Sequence, residues 1–326
     1  MISQRIRMLV TGGTGFVGSH VVDRLAEAPG VEVRLLTHRR ELPPHWAERA
    51  VEAVRGDLTD PGSLRGICDG VDTVLHLAAH IGGDEESCRA VNTEGTRALL
   101  AQARRAGVRR VVQLGTAAVY RDEPHRGEPE GVPAEDPVSP TSVTRLAGER
   151  LVLAAGGTVL RPHLVYGRGD TWVVPALARM LRAVPHWVDG GRARISMISA
   201  DALAGALTDL ALGAAPEGWR GGVLHASHPE PVTARELVTA VGGVLGLALP
   251  SGETTRERAA ELLAAAGVPG SARVVSLMTT DHWYDSGRLW SMVPSSPGPA
   301  FPEAFGTYAG WYGERYGAGV FSSSGT

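Results

Sequence analysis

Lysine is missing from this chain of 326 residues; all 32 of its lysine-plus-arginine total is arginine. No ammonium side chain is therefore available to tune a neighbouring acid. Cysteine is nearly missing. Cys68 and Cys88 form neither a CxxC nor a framework spacing, which excludes a disulfide scaffold and suits a reduced cytoplasm. Histidine and cysteine are scattered without ligand spacing, so no metal is expected. No apolar run reaches the length of a membrane span, and no signal-peptide pattern opens the chain. Net charge is only −3 with the signs interspersed, which argues against nucleic acid or an anionic membrane as partner. With abundant Ala, Gly and Arg, the lack of lysine points to a high-GC bacterial genome.

What is present is a core-forming chain, 43% apolar, long enough for one large domain or two unequal ones. An apolar strand over 6–10 runs into Thr11-Gly12-Gly13-Thr14-Gly15-Phe16-Val17-Gly18 and then a helix over 17–27. Glycines at 12, 15 and 18 let the backbone approach a pyrophosphate, and the helix N–H groups face its charge. The spacing is Gly-x-x-Gly-x-x-Gly, set between strand and helix where such a motif has meaning. Strands at 31–37, 51–56, 73–78, 110–115 and 158–160 alternate with helices at 63–68, 88–105 and 142–154. Residues 121–140, rich in Pro, Glu and Gly, read as loop. The alternation predicts an α/β fold, a doubly wound parallel sheet of Rossmann type, with ligands outside the carboxyl ends of its strands.

After Gly167 the pattern is less regular. Helices are expected at 175–183, 200–212, 234–245 and 256–265, and short strands at 194–198 and 222–226. The tail from 294 to 326 is rich in Pro, Gly and Ser. The division is then a dinucleotide-binding domain over 1–166, with 194–226 returning to it, and a smaller substrate-binding or lid domain over the rest of 167–326. The helix at 256–265 could close over an apolar substrate.

Several segments in order resemble the extended short-chain dehydrogenase/reductases, in their epimerase/dehydratase-like branch. They are Thr11–Gly18, Gly56-Asp57-Leu58, His76-Leu77-Ala78-Ala79, Asn92-x-x-Gly95-Thr96, Gly115-Thr116, Arg161-Pro162-x-x-Val165-Tyr166-Gly167 and Ala200-Asp201. The resemblance covers nearly the whole chain and implies a nicotinamide cofactor. It also implies a catalytic Ser or Thr, here Thr116, and a Tyr-x-x-x-Lys pair with a Glu four residues beyond the Lys. Glu149 sets that register, so Thr141 stands at the tyrosine position and Arg145 at the lysine position. No tyrosine lies between Tyr120 and Tyr166 to rescue the pair. A Thr hydroxyl is too weak an acid to replace a phenol. Arg145 can still bond the nicotinamide ribose but cannot shuttle a proton.

The resemblance also distributes the cofactor. Gly12, Thr14, Gly15, Phe16, Val17 and Gly18 hold the pyrophosphate, Asp57 and Leu58 lie by the adenine, and Leu77, Ala78 and Ala79 run along the ribose. Asn92, Arg145, Pro162 and His163 lie toward the nicotinamide. After the second strand come His38, Arg39 and Arg40 rather than an acidic residue, which favours the 2′-phosphate of NADP(H). His80, Thr116, Tyr120 and His163 are the substrate-side candidates. His80 and His163 could each donate a proton, and Tyr120 is the nearest phenol.

Taken together, these residues lead us to expect a cytoplasmic NADPH-dependent ketoreductase of a small molecule, for which a homodimer is compatible. With no tyrosine, the substrate itself would supply the proton. A ketone beside a phenol suits this, and aromatic polyketides such as angucyclinones, made in antibiotic biosynthesis, carry that group. A non-catalytic NADP(H)-binding regulator is the alternative.

Overall fold

The computed structural model describes residues 5–38, 41–49, 51–268 and 270–317. Its centre is a seven-stranded sheet. The strands are β1 (Ile6–Thr11), β2 (Val31–Thr37), β3 (Val51–Arg55), β4 (Thr73–His76), β5 (Arg110–Leu114), β6 (Thr158–Arg161) and β7 (Gly222–His225), in the order β7-β6-β5-β4-β1-β2-β3. Every neighbouring pair is parallel. Met8, Leu9, Val10, Val74 and Leu75 are fully buried, as strands covered on both faces require. The strand order reverses between β1 and β4, which places the ligand crevice at their carboxyl ends.

Helices α1 (Phe16–Glu27), α2 (Glu85–Arg89), α3 (Thr96–Arg105) and α4 (Pro140–Ala154) belong to the first half. The second half adds α5 (Val173–Ala183), α6 (Ala200–Leu212), α7 (Ala234–Leu245), α8 (Arg256–Ala265), α9 (Ser271–Thr279) and α10 (Ala309–Tyr316). On one face of the sheet, Val21, Val22 and Leu25 of α1 pack with Leu203, Leu207 and Leu210 of α6. On the other, Leu99 and Ala103 of α3 pack on Leu9, Leu36 and Val74. A separate apolar core joins Leu177 and Leu181 of α5, Leu237 and Val241 of α7, and Phe305 and Tyr312 near the C-terminus. Among the described residues no helix is long and apolar enough to cross a membrane.

The structure departs from the sequence pattern in several places. Residues 63–68 form turns, not a helix: Leu64, Ile67 and Cys68 are buried, but Gly66 takes φ +73° and breaks the run. The helix expected over 88–105 starts at Glu85, capped by Asp84, which accepts from Ser87 N–H at 2.8 Å. It passes through a π-helical stretch, Ala90–Gly95, before α3. The Pro-rich loop contains a strand, His125–Glu128, and the tail contains α10.

Candidate functional site

The glycine turn closes tightly at the end of β1. Gly12 has φ +70°, and a Cβ there would lie 2.5 Å from Ala78 N. At Gly18 a Cβ would lie 2.1 Å from the Gly12 carbonyl oxygen. Gly15 is the N-cap of α1, and no side chain caps that helix. A cradle without side chains, ending on an uncapped helix N-terminus, fits a dinucleotide pyrophosphate. Gly12, Thr14, Gly15, Phe16, Val17 and Gly18 all line one open cleft. Leu77, Ala78, Ala79 and His80 form its next wall, and Thr116, Arg145, Pro162 and His163 its far end.

The remaining described cofactor candidates are not among the residues lining this cleft. Leu58 is in the core with Leu64, where a Cβ on Gly95 would sit 2.8 Å from it, and it does not line the cleft. Asp57 Oδ2 lies 3.1 Å from His38 Nε2 and its Oδ1 accepts from Thr59 N–H at 2.9 Å. Arg39 and Arg40 fall outside the described residues. Asn92 is 3% exposed. Its carboxamide accepts from His80 N–H at 2.7 Å and donates to the His80 carbonyl and to Thr144 Oγ1, both at 3.0 Å. The expectation that Asn92 touches the cofactor is therefore corrected: its polar atoms are consumed in holding the loop that does line the cleft.

At the tyrosine position, Thr141 is half-buried on the first turn of α4. Its Oγ1 accepts from Gly82 N–H at 3.0 Å and lies 3.6 Å from Cys88 Sγ. It fastens the 80–84 loop and is not among the cleft-lining residues. One helical turn on, Arg145 Nη2 donates to the carbonyls of Leu114 and Gly115, at 2.9 and 2.8 Å. Burial lowers its pKa, an effect Glu149 opposes. It remains a cation, the only Arg or Lys in the described lining.

Thr116 stands where β5 ends. Its N–H donates to Glu149 Oε1 at 3.1 Å, and its Oγ1 accepts from Ala118 N–H at 3.1 Å. The hydroxyl proton is left free to donate into the cleft. Beneath it is a buried ion network. Arg161, 3% exposed, donates to Glu149 Oε2 at 2.8 Å and to Glu135 Oε1 at 2.6 Å. Burial pushes the Glu149 carboxyl above its ordinary pKa while Arg161 and Arg145 pull it back.

Tyr120 does not reach the cleft. It is 4% exposed, its hydroxyl is 2.7 Å from His225 Nε2, and Arg161 lies over its ring at 5.0 Å. Because its side chain packs with Leu146 and Tyr284, its assignment to the substrate side is corrected to a core role. His163 does line the cleft, but its ring packs on His282 and Tyr284, with centroids 5.4 and 5.9 Å away. Burial first, then His282 and Arg273, drives its pKa well below the ordinary value, so the imidazole is neutral.

No motif in the sequence marks the apolar part of the lining: Ile81, Val91, Val165, Trp172 and Val173. Trp172 is 57% exposed and Ile81 49%. The segment before α5 is held by Asp170, whose carboxylate accepts from the N–H groups of Trp172, Val173 and Val174 at 2.7–2.9 Å. The Tyr312 hydroxyl of α10 donates to Asp170 Oδ2 at 3.1 Å. The Gly-Arg-Gly-Asp-Thr-Trp stretch carried a usable signal, since Asp two residues before an apolar helical run is a capping pattern.

Known proteins are similar to this chain in sequence and fold. A 2-alkyl-3-oxoalkanoate reductase of Stenotrophomonas maltophilia is 33% identical over 308 residues, covering 88% of this chain and 84% of that protein. A 4-hydroxy-2-methyl-3-oxo-4-farnesyl-3,4-dihydroquinoline-1-oxide ketoreductase of Stigmatella aurantiaca is 33% identical over 198 residues, 57% of this chain and 59% of that one. Among solved structures, MoeE5 in complex with UDP-glucose and NAD has a TM-score of 0.70 at 26% identity, covering 94% of this chain and 98% of that one. The UDP-Glc/GlcNAc 4-epimerase of Campylobacter jejuni has a TM-score of 0.75 at 16% identity, covering 95% and 99%, and shows the fold alone. The profile of the NAD dependent epimerase/dehydratase family matches residues 8–211, and with the glycine cradle, the Thr116 position and the Glu149 register in place, this chain belongs to that family.

Proposed function

We propose that this protein is an NADPH-dependent ketoreductase of an aromatic, polyketide-type ketone, angucyclinone-like in carrying a hydroxyl beside the carbonyl, and that this hydroxyl hands over the proton. NADPH, when bound along Gly12–Gly18, Leu77–Ala79, Arg145 and Pro162–His163, supplies the hydride. The observation that carries the reading is the state of Thr141. In the tyrosine's place stands a hydroxyl tied to Gly82 N–H, while the cofactor cradle is kept. The chain has an oxidoreductase's cleft without its family's usual acid.

The chain's residues then divide the work. Thr116 gives a hydrogen bond from its free hydroxyl to the ketone oxygen, keeping its proton, and stabilises the charge that develops there, commonly the largest catalytic term. Arg145 contributes a fixed positive charge nearby. Ile81, Val91, Trp172 and Val173 give the cleft an apolar wall suited to a flat, hydrophobic molecule. Two relatives named as reductases of oxo compounds support the ketone. His38-Arg39-Arg40 after β2, with no carboxylate until Glu41, supports the 2′-phosphate.

The test follows NADPH oxidation by the purified protein with a hydroxyanthraquinone-type ketone. Turnover is expected. NADPH binding with no turnover across a panel of such ketones would instead make the protein an NADP(H)-binding regulator. NADPH should bind more tightly than NADH, and Arg39→Ala with Arg40→Ala should weaken NADPH roughly 10-fold or more, sparing NADH. Equal affinity of the wild-type protein for the two cofactors would remove the NADPH assignment.

A further inference from the structure

One titratable side chain in the cleft is presented without being engaged. His80 is half-buried and lines the cleft with Thr116 and Arg145. Its peptide is gripped at both ends. The N–H donates to Asn92 Oδ1 at 2.7 Å, and the carbonyl accepts from Asn92 Nδ2 at 3.0 Å. Two residues on, Gly82 N–H donates to Thr141 Oγ1 at 3.0 Å and the Gly82 carbonyl accepts from Cys88 Sγ at 3.2 Å. The imidazole itself makes no hydrogen bond or ion pair with any described residue. A rigid backbone carrying an uncommitted head is how a reagent is presented to substrate. The Nε2 edge faces Gly83, where an added Cβ would lie 3.3 Å from it.

The other ionisable groups nearby are committed. The Asp170 carboxylate accepts three backbone N–H groups. His76 is 1% exposed and lies between Thr11 Oγ1 at 2.7 Å and Thr96 Oγ1 at 2.9 Å. His163 packs against His282 and Tyr284 and is held neutral. His80 also sits on the loop that Thr141 fastens, beside the place the family gives its acid.

We propose that His80 is the protein's proton source, donating to the substrate's hydroxyl oxygen while that hydroxyl passes its own proton to the ketone oxygen. This rests on the ketoreductase reading above. The carbonyl carbon gains the hydride and is reduced, the reduced nicotinamide being the species oxidised. The carbonyl oxygen gains the hydroxyl's proton. The hydroxyl's O–H bond breaks and is remade with the proton from His80, so no phenolate is released. The imidazolium becomes imidazole, and water in the open cleft restores its proton.

The experiment compares the wild-type protein, His80→Gln and His80→Ala on a hydroxy-ketone and on its O-methyl ether, with NADPH affinity measured for each variant to establish folding. On the hydroxy-ketone both variants should lose roughly 10²-fold in kcat, the lower end of acid–base catalysis. Added imidazole should restore part of the His80→Ala rate, which a structural role would not allow. On the methyl ether, already slow, the substitutions should cause no further loss, because the two donors act in series. In a binding readout, the His80 ring resonance, assigned by its loss in His80→Gln, should shift when hydroxy-ketone binds and not when the ether does. Wild-type kcat in both variants, with the ether still slow, would overturn the role of His80 and leave the ketoreductase reading standing. An ether reduced as fast as the hydroxy-ketone would overturn the substrate-hydroxyl reading and the relay with it.

Discussion

Thr141 spends its hydroxyl on a loop contact. Its hydroxyl is an acceptor for Gly82 N–H, so Thr141→Ala removes one hydrogen bond, worth about 1 kcal/mol. That variant should be slightly less stable in urea and retain kcat within about tenfold of wild type. A loss of the 10²–10⁴-fold expected for a general acid would make the hydroxyl a participant. The position itself was readable, because Glu149 sets the register and no tyrosine or lysine lies within reach. What the hydroxyl does was not readable, because it depends on where a loop 59 residues earlier in the chain comes to rest. Asn92 and Tyr120 teach the same lesson. Their places in the chain are legible, but both spend their polar atoms on buried partners.

The elements were legible where burial imposes a period. Strands β1 and β4 are centred on buried apolar residues, α1 and α6 bury apolar faces on the sheet and each other, and α7 buries its own against α5. The segment over 63–68 carries the same apolar spacing but also Gly66 at positive φ, so the chain turns there instead of winding. Helix α10 was hidden in a Pro- and Gly-rich tail, since its stability comes from Tyr312 packed on Phe305 and bonded to Asp170. At this scale the link between β6 and α4 is the Arg161–Glu149 pair, with side chains 2% and 0% exposed. Arg161→Met strands a buried carboxylate and should lower unfolding free energy by about 3–5 kcal/mol. Adding Glu149→Gln should recover part of that loss. A single variant as stable as wild type in a urea titration would show that the pair is not buried as described.

Across the whole molecule, buried histidines make stability depend on acid. His76, His225 and His282 are each 2% exposed or less, and burial pushes all three down to about 4. In the unfolded chain they titrate near 6.5. Between those values the unfolded state binds more protons, so stability falls as pH is lowered from about 6.5 toward 4. The slope is on the order of 1 kcal/mol per pH unit for each histidine. His20 acts in the opposite direction, but above that window. Burial lowers its pKa, yet the bond to Asp201 carries it above the ordinary value, so its contribution is lost only at higher pH. The urea midpoint should drop clearly between pH 7.5 and 5.5. An unchanged midpoint would mean these imidazoles are protonated in the folded state.

If ketone reduction draws its proton through the substrate's own hydroxyl, as proposed above, methylating that hydroxyl removes the donor. The most direct test measures kcat and KM of the wild-type protein, with NADPH, on an ortho-hydroxy aromatic ketone and on its O-methyl ether. Methylation should lower kcat by roughly 10²-fold or more while KM changes little. Equal kcat for the two ketones would contradict it.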